Sequence, residues 1–125
     1  MTDNLKKFGE DLKNNIPGFI ALSVAEIKSG ISYYSISDAK DFDPELASAF
    51  NLELVRAKVN AIQALELKEQ NVDNILVTLT SQFHVIDISD DGEYFVYLAV
   101  DSDKANLGMT KSLLNKYKKD FSRRL

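Results

Sequence analysis

The feature that most constrains this chain is a long helical pattern from residue 43 to about residue 68. It has no internal glycine, and its only proline lies in the first turn. Asp43 is a favourable N-cap, and Pro44 suits the first helical position because the N–H it lacks would have no partner there. At ~1.5 Å per residue, about 25 residues span roughly 37 Å. Such a helix must lie across a whole layer of a small domain.

This helix carries two apolar stripes, because successive residues turn by ~100° around its axis. We expect the first stripe to cover a sheet of the same chain. The second stripe then needs another partner, and a second protein molecule is the natural candidate. The first stripe comprises Leu46, Phe50, Leu54, Ala57, Ala61 and Leu65; the second comprises Leu52, Val55, Val59 and Ile62; and a polar face between them carries Glu53, Arg56, Asn60 and Gln63.

The remaining periodicity predicts the element order α-β-β-α-β-β-β-α. Strand-like runs cover residues 19–27, 31–37, 75–80, 83–88 and 94–100, and Ser102 or Asp103 can cap a last helix. The gaps between the last three strands have hairpin length, which favours antiparallel pairing. We therefore predict an α/β (α+β) fold: one domain over residues 1–125, with a five-stranded, mostly antiparallel sheet between the long helix and two terminal helices. The alternative places all helices on one face.

Composition narrows the function classes. The 125 residues are 45% hydrophobic and carry a net charge of −4, with no cysteine and no stretch of about 20 apolar residues. The polar start is unlike a signal peptide. We expect a cytoplasmic protein that neither spans a membrane nor binds nucleic acid with its whole surface.

Two charged segments allow alternative interpretations. Acids accumulate between residues 87 and 103 without any base, either as solvated loop ends or as a rim that attracts a basic partner surface. Residues 111–125 contain six bases and one acid. These bases are either solvated residues that interact favourably with a helix dipole, or a docking patch for an acidic partner or anionic lipid. The bases are Lys111, Lys116, Lys118, Lys119, Arg123 and Arg124.

The chain lacks a recognisable catalytic, cofactor or metal motif. His84 is the only histidine, and its position in a strand-like run favours a packed or edge residue. Neither a G-x-S-x-G turn nor a glycine-rich phosphate loop is present. We therefore predict a protein without catalytic residues, cofactor or metal ion.

Gly108 is unusual because it lies one turn into the predicted last helix, where glycine costs ~1 kcal/mol relative to alanine. We expect the start of this helix to pack closely against the sheet, so that a side chain at position 108 would not fit.

Several segments resemble the Roadblock family of dynein light-chain-like domains, whose fold is profilin-like. They are IPGFIALSV before the first hairpin with Gly30, LASAFNLELVRAKVNAIQAL in the long helix, and DSDKANLGMTKSLL after the last strand. The resemblance covers almost the whole chain. Lys28-Ser29-Gly30 and Tyr33-Tyr34 depart from the acid–glycine turn and the small residues that many members have.

The resemblance implies a dimer, with itself or a related Roadblock-like chain, in which sheets join edge to edge and long helices pair. It also implies a non-enzymatic regulator or scaffold of a small Ras-like GTPase, at most a GTPase-activating partner without its own active site. The alternative is an acidic cytosolic chaperone for an exported client. Such chaperones typically place three strands before the second helix and two after it, whereas this sequence predicts two and then three.

Overall fold

The computed structural model describes the chain from residue 2 to residue 122. It has the predicted element order and the predicted two strands before the long helix and three after it. The elements are α1 (Thr2–Asn15), β1 (Phe19–Glu26), β2 (Ser32–Ser37), α2 (Pro44–Ala64), β3 (Asn74–Thr78), β4 (Gln82–Ile88), β5 (Tyr94–Asp101) and α3 (Leu107–Ser122).

The five strands form one sheet in the order β2-β1-β5-β4-β3, and every neighbouring pair is antiparallel. Two hairpin-linked groups therefore meet where β1 pairs with β5. The long helix α2 carries the chain from edge strand β2 to the opposite edge strand β3, which is the crossover expected from its length.

Helices cover both faces of the sheet, so the predicted sandwich is confirmed and the one-face alternative is not. On one face, Leu5, Phe8 and Leu12 of α1 and Leu114 of α3 pack with residues such as Leu98. On the other face, α2 packs against a second core cluster that includes Phe95, Tyr97 and Ile86. The central strands β1 and β5 are buried on both sides because each of their faces meets a helix layer.

Two helix boundaries differ from the sequence prediction. The long helix ends at Ala64 instead of residue 68, and Glu66 beyond it has a left-handed backbone with φ of 53°. The last helix begins at Leu107 because Asn106 is its cap: Asn106 Oδ1 accepts the Met109 N–H at 3.0 Å. Residues 102–104 instead form a turn that Asp101 holds.

The prediction that the start of the last helix packs closely against the sheet at Gly108 is wrong. A Cβ added there would meet only Asn106 Oδ1, at 3.3 Å, and no atom of the sheet. The close approach lies in α1 instead, where Gly9 packs under the ring of Tyr34 from β2. A Cβ at Gly9 would overlap that ring, so Gly9 is the helical glycine whose missing side chain the fold uses.

Candidate functional site

The long helix α2 does have two apolar surfaces, but the one that packs against the sheet is not the one predicted. Val55 is fully buried and Leu52 is 9% exposed, both in the core under the helix, and Val59 packs against the same cluster. This burial runs against the prediction that Leu52 and Val55 face a second molecule. Ile62, the last member of that stripe, is half-buried.

Polar contacts on both sides of the buried stripe explain this rotation of the helix. On one side, Arg56 Nη2 donates to the carbonyl oxygens of Ile27 and Lys28, at 2.9 and 2.8 Å. On the other side, the half-buried Asn51 side chain approaches the Tyr97 hydroxyl. These two anchors turn the face between them, which carries Leu52 and Val55, towards the sheet.

The stripe expected to cover the sheet is consequently the one that faces solvent. Phe50 is 72% exposed, Leu65 67% and Leu46 57%. We call this surface the outer stripe: Leu46, Phe50, Leu54, Ala57 and Leu65, of which Leu54 and Ala57 are also exposed. Ala61, which the sequence placed in the same stripe, is half-buried. A contiguous apolar surface on a helix is typical of a protein interaction site.

Three of the four polar residues predicted for the partner surface are exposed on α2: Glu53, Asn60 and Gln63. The fourth, Arg56, is half-buried, and its contacts with two backbone carbonyls hold the β1–β2 turn against the helix. A guanidinium group held in this way positions a turn of its own chain. This geometry gives no support to a role for Arg56 as an arginine finger.

A cleft of about 440 Å³ lies beside Arg56, between the second half of α2, the segment before β3 and the β4–β5 turn. Its apolar lining comes from four branched side chains, Ile27, Val59, Val72 and Ile88. Its polar lining comes from Arg56, Asn60, Asn71, Ser89, Asp90, Asp91 and Gly92. Periodicity did not indicate this cleft, because its walls come from four separate segments of the chain.

The β4–β5 turn at the cleft is held by its own side chains. The Ser89 hydroxyl donates to Asp91 Oδ1 at 2.6 Å and accepts the N–H groups of Glu93 and Tyr94, both at 3.1 Å. Asp91 Oδ1 also accepts the Glu93 N–H at 3.0 Å. The hydrogen bond from Ser89, and after it the one from the Glu93 N–H, keep the pKa of Asp91 below its ordinary value. The turn therefore presents an ionised, fixed carboxylate.

His84 lies on the α2 face of the sheet, on the same side as Ile86 and Ile88, as its strand pattern predicted. Its Nε2 is 2.7 Å from Gln82 Oε1, its Nδ1 is 3.2 Å from the Tyr97 hydroxyl, and the Phe42 ring packs edge-on against it. Burial lowers the pKa of His84 and raises the pKa of Tyr97 to about 12. Across residues 2–122, no group of three or more potential metal ligands occurs. These contacts describe a packed histidine.

Lys118 does not belong to a solvated basic face. Its Nζ lies 2.9 Å from Asp87 Oδ1 and 3.2 Å from the Ile88 carbonyl oxygen, with the lysine and aspartate side chains only 12% and 7% exposed. Burial raises the pKa of Asp87, and Lys118 partly offsets this. This ion pair ties α3 to β4. Arg123 and Arg124, which the basic segment also contains, lie outside the described residues.

Comparison with solved structures identifies the class of fold. MglB from Myxococcus xanthus matches with a TM-score of 0.84 at 11% identity, over 98% of this chain and 87% of that chain. A structure described as MglB with tetrameric arrangement gives 0.80 at 13% identity, over 97% of this chain and 87% of that one. The Roadblock/LC7 domain from Streptomyces avermitilis gives 0.78 at 11% identity, over 94% of both.

The chain therefore has a Roadblock-like fold, as the sequence resemblance predicted. No protein-family model and no curated protein matches the sequence. At identities of 11–13% the structural likeness establishes the fold alone. Within residues 2–122, no helix is long and apolar enough to cross a membrane.

Proposed function

We propose that this protein is a non-enzymatic regulator or scaffold that acts as a dimer and binds a small Ras-like GTPase. The observation that carries the proposal is the outer stripe of α2, a large apolar surface that the described part of the chain leaves exposed. The Roadblock-like fold supports it, because the Roadblock resemblance implies paired long helices and a GTPase partner. Self-association is also supported by the tetrameric arrangement described for one MglB.

The outer stripe is large enough for a dimer interface. It contains four large apolar side chains, and burying each contributes ~1.5–3 kcal/mol, so the stripe offers on the order of 6–12 kcal/mol. Association costs about 4–15 kcal/mol. The two ranges overlap, and additional contacts must therefore contribute to a stable dimer.

The edge strand β3 is the natural source of those contacts. Leu76 on β3 is 39% exposed and Leu79 just after it is 44% exposed. On the α2 face, the neighbouring side chains of Ile75 and Val77 are only half-buried. As an edge strand, β3 also offers unpaired backbone groups to a second chain.

The GTPase would then contact the polar flank of the paired helices, where Glu53, Asn60 and Gln63 are exposed. A Ras-like switch region changes conformation with the γ-phosphate. A regulator that distinguishes the two states must prefer one, and by linkage this preference changes nucleotide affinity or turnover. Since Arg56 holds its own β1–β2 turn, regulation would proceed by positioning the GTPase's own residues.

The experiment is to mix the purified protein with small GTPases of the same organism, loaded with GDP or a GTP analogue, and to measure binding and hydrolysis. We expect nucleotide-dependent binding that is weakened by the double substitution Glu53→Lys/Gln63→Lys and survives Arg56→Ala. Glu10→Lys/Gln70→Lys, which makes the same charge change at exposed residues outside α2, is the control. Absence of binding to any of these GTPases would reject the proposal. Loss of stimulated hydrolysis without loss of binding in Arg56→Ala would instead indicate that Arg56 acts on the bound nucleotide as an arginine finger.

The chaperone alternative is disfavoured by strand order, because two strands precede α2 and three follow it. It would nevertheless use the same apolar surface. Capture of one unfolded, secreted client through the outer stripe, with no response to nucleotide, would favour the chaperone over the regulator.

A further inference from the structure

The cleft beside α2 has the chemistry of a binding pocket for a long basic side chain. Its volume of about 440 Å³ lies in the lower part of the range for ligand pockets, ~300–1,000 Å³. Four branched side chains line it: Ile27, Val59, Val72 and Ile88. An apolar wall of this kind suits the methylene stem of lysine or arginine, which packs along apolar surface while its charged head stays at the polar rim.

The rim of the cleft supplies the complementary charge. Asp90 and Asp91 line it from the β4–β5 turn, and among the described lining residues only Arg56 is basic. The Arg56 guanidinium already donates to the carbonyls of Ile27 and Lys28, and no salt bridge joins it to either aspartate in the described chain. Within that chain, Asp90 has neither an ion-pair nor a hydrogen-bond partner. The cleft thus carries an uncompensated carboxylate.

The α2 helix adds to this negative potential. Its last turn, ending at Ala64, contains no basic residue, so no cation there offsets the negative end of the helix dipole. The cleft lies beside this second half of the helix, where Asn60 contributes to its wall. Two carboxylates and a helix C-terminal end against one engaged guanidinium favour a cation over an anion.

The cleft is also preorganised. Ser89 fixes Asp91 at 2.6 Å, the Gly92 N–H donates to the Ser89 carbonyl at 2.9 Å, and the Ile27 N–H donates to the Glu93 carbonyl at 2.9 Å. These bonds join the β4–β5 turn to the end of β1. A rigid wall reduces the entropy lost on binding.

From these observations we infer that the cleft is an anchor pocket for an arginine or lysine side chain of a protein partner. The aliphatic stem lies on Ile27, Val59, Val72 and Ile88, and the charged head meets the carboxylates of Asp90 and Asp91. This pocket gives Asp90 and Asp91, near the start of the acid-rich segment at residues 87–103, a specific role in binding a partner. Arg56 lines the same cleft, and its positive charge repels the charged group of a partner side chain that enters in the opposite orientation. Arg56 therefore orients the bound side chain.

The test uses the protein alone and three small probes followed by NMR of backbone amides: Nα-acetyl-arginine methylamide, Nα-acetyl-norleucine methylamide and Nα-acetyl-glutamate methylamide. We expect saturable shifts with the arginine probe, confined to the amides that line the cleft, with millimolar affinity. The norleucine probe should bind at least threefold more weakly, and the glutamate probe should not bind. Equal shifts with all three probes, or shifts spread over the acidic surface, would overturn the inference.

Two substitutions separate the charged head from the stem. Asp90→Asn should weaken binding of the arginine probe about threefold to fivefold, since an exposed charge pair contributes up to ~1 kcal/mol. Asp103→Asn, the same change at an exposed acid near the other end of β5, should leave it unchanged. Val72→Thr should weaken binding of the arginine and norleucine probes alike. If Asp103→Asn weakens binding as much as Asp90→Asn, the attraction is a general surface effect and the pocket is refuted.

This test of the pocket is independent of the proposed GTPase partner. Because no GTPase enters this experiment, failure of the pocket leaves the regulator proposal standing, and failure of GTPase binding leaves the pocket standing.

Discussion

Gly9→Ala should destabilise the protein even though alanine is the better helix former. Helix propensity favours the substitution by about 0.5–1 kcal/mol. The new Cβ, however, would overlap Tyr34 Cε2 and lie 2.9 Å from Cζ and 3.0 Å from the hydroxyl oxygen. Gly9 is buried, so the ring of Tyr34 must move out from between α1 and β2. Overpacking of this kind costs ~1–3 kcal/mol, which leaves a net loss of about 1 kcal/mol, and up to roughly 2.5 kcal/mol.

Thermal and urea unfolding would measure this loss, with an expected decrease in Tm of about 3–8 °C. Gly108→Ala is the matched control, because a Cβ at that helical glycine meets only Asn106 Oδ1 at 3.3 Å and should change stability by less than about 0.5 kcal/mol. In a Tyr34→Ala background the loss at position 9 should disappear. A stabilising Gly9→Ala substitution, or a loss that is the same with and without the Tyr34 ring, would show that the ring does not oppose a side chain at position 9.

Three further predictions follow from buried groups. Val55→Glu should unfold the protein instead of only dissociating it, since Val55 is fully buried under α2; a folded monomer by circular dichroism and sedimentation would contradict this. Lys118→Met should lower the free energy of unfolding by about 3 kcal/mol at neutral pH, because it leaves the Asp87 carboxylate buried without its partner. The loss should be smaller at acidic pH, because burial raises the pKa of Asp87 and the carboxylate takes up a proton. A loss in urea unfolding that does not depend on pH would refute the pairing. Burial lowers the pKa of His84, so below about pH 6.5 the unfolded chain binds a proton more readily than the folded chain does. The free energy of unfolding should therefore fall as the pH drops through this range. His84→Gln should flatten this pH dependence, and an unchanged slope would exclude His84 as its cause.

Most of the fold could be predicted from the sequence because the local signals agree. Alternating apolar residues and hairpin-length gaps fixed the strands to within one or two residues, and Asp43-Pro44 marked the start of α2. The predicted helix boundaries were wrong where a tertiary or capping contact determines them. The cap of α3 is Asn106, three or four residues later than expected, because Asp101 holds residues 102–104 in a turn.

The candidate site was harder to predict because periodicity shows that α2 has two apolar stripes without showing which one meets the sheet. That choice depends on Arg56 and Asn51, whose partners Ile27, Lys28 and Tyr97 lie far away in the sequence. The cleft was missed for the same reason. Lys118 was placed on a solvated face because its partner Asp87 is 31 residues away.

The central claim is that another molecule of this protein covers the outer stripe of α2, and sedimentation velocity at micromolar concentration tests it most directly. We expect the wild type to sediment at twice the 14.0 kDa chain mass, and Phe50→Glu to sediment as a folded monomer with an unchanged Tm. Gln63→Glu, which adds the same charge on the polar flank of the same helix, should remain dimeric. A monomeric wild type, or a Phe50→Glu variant that remains dimeric, would contradict the account.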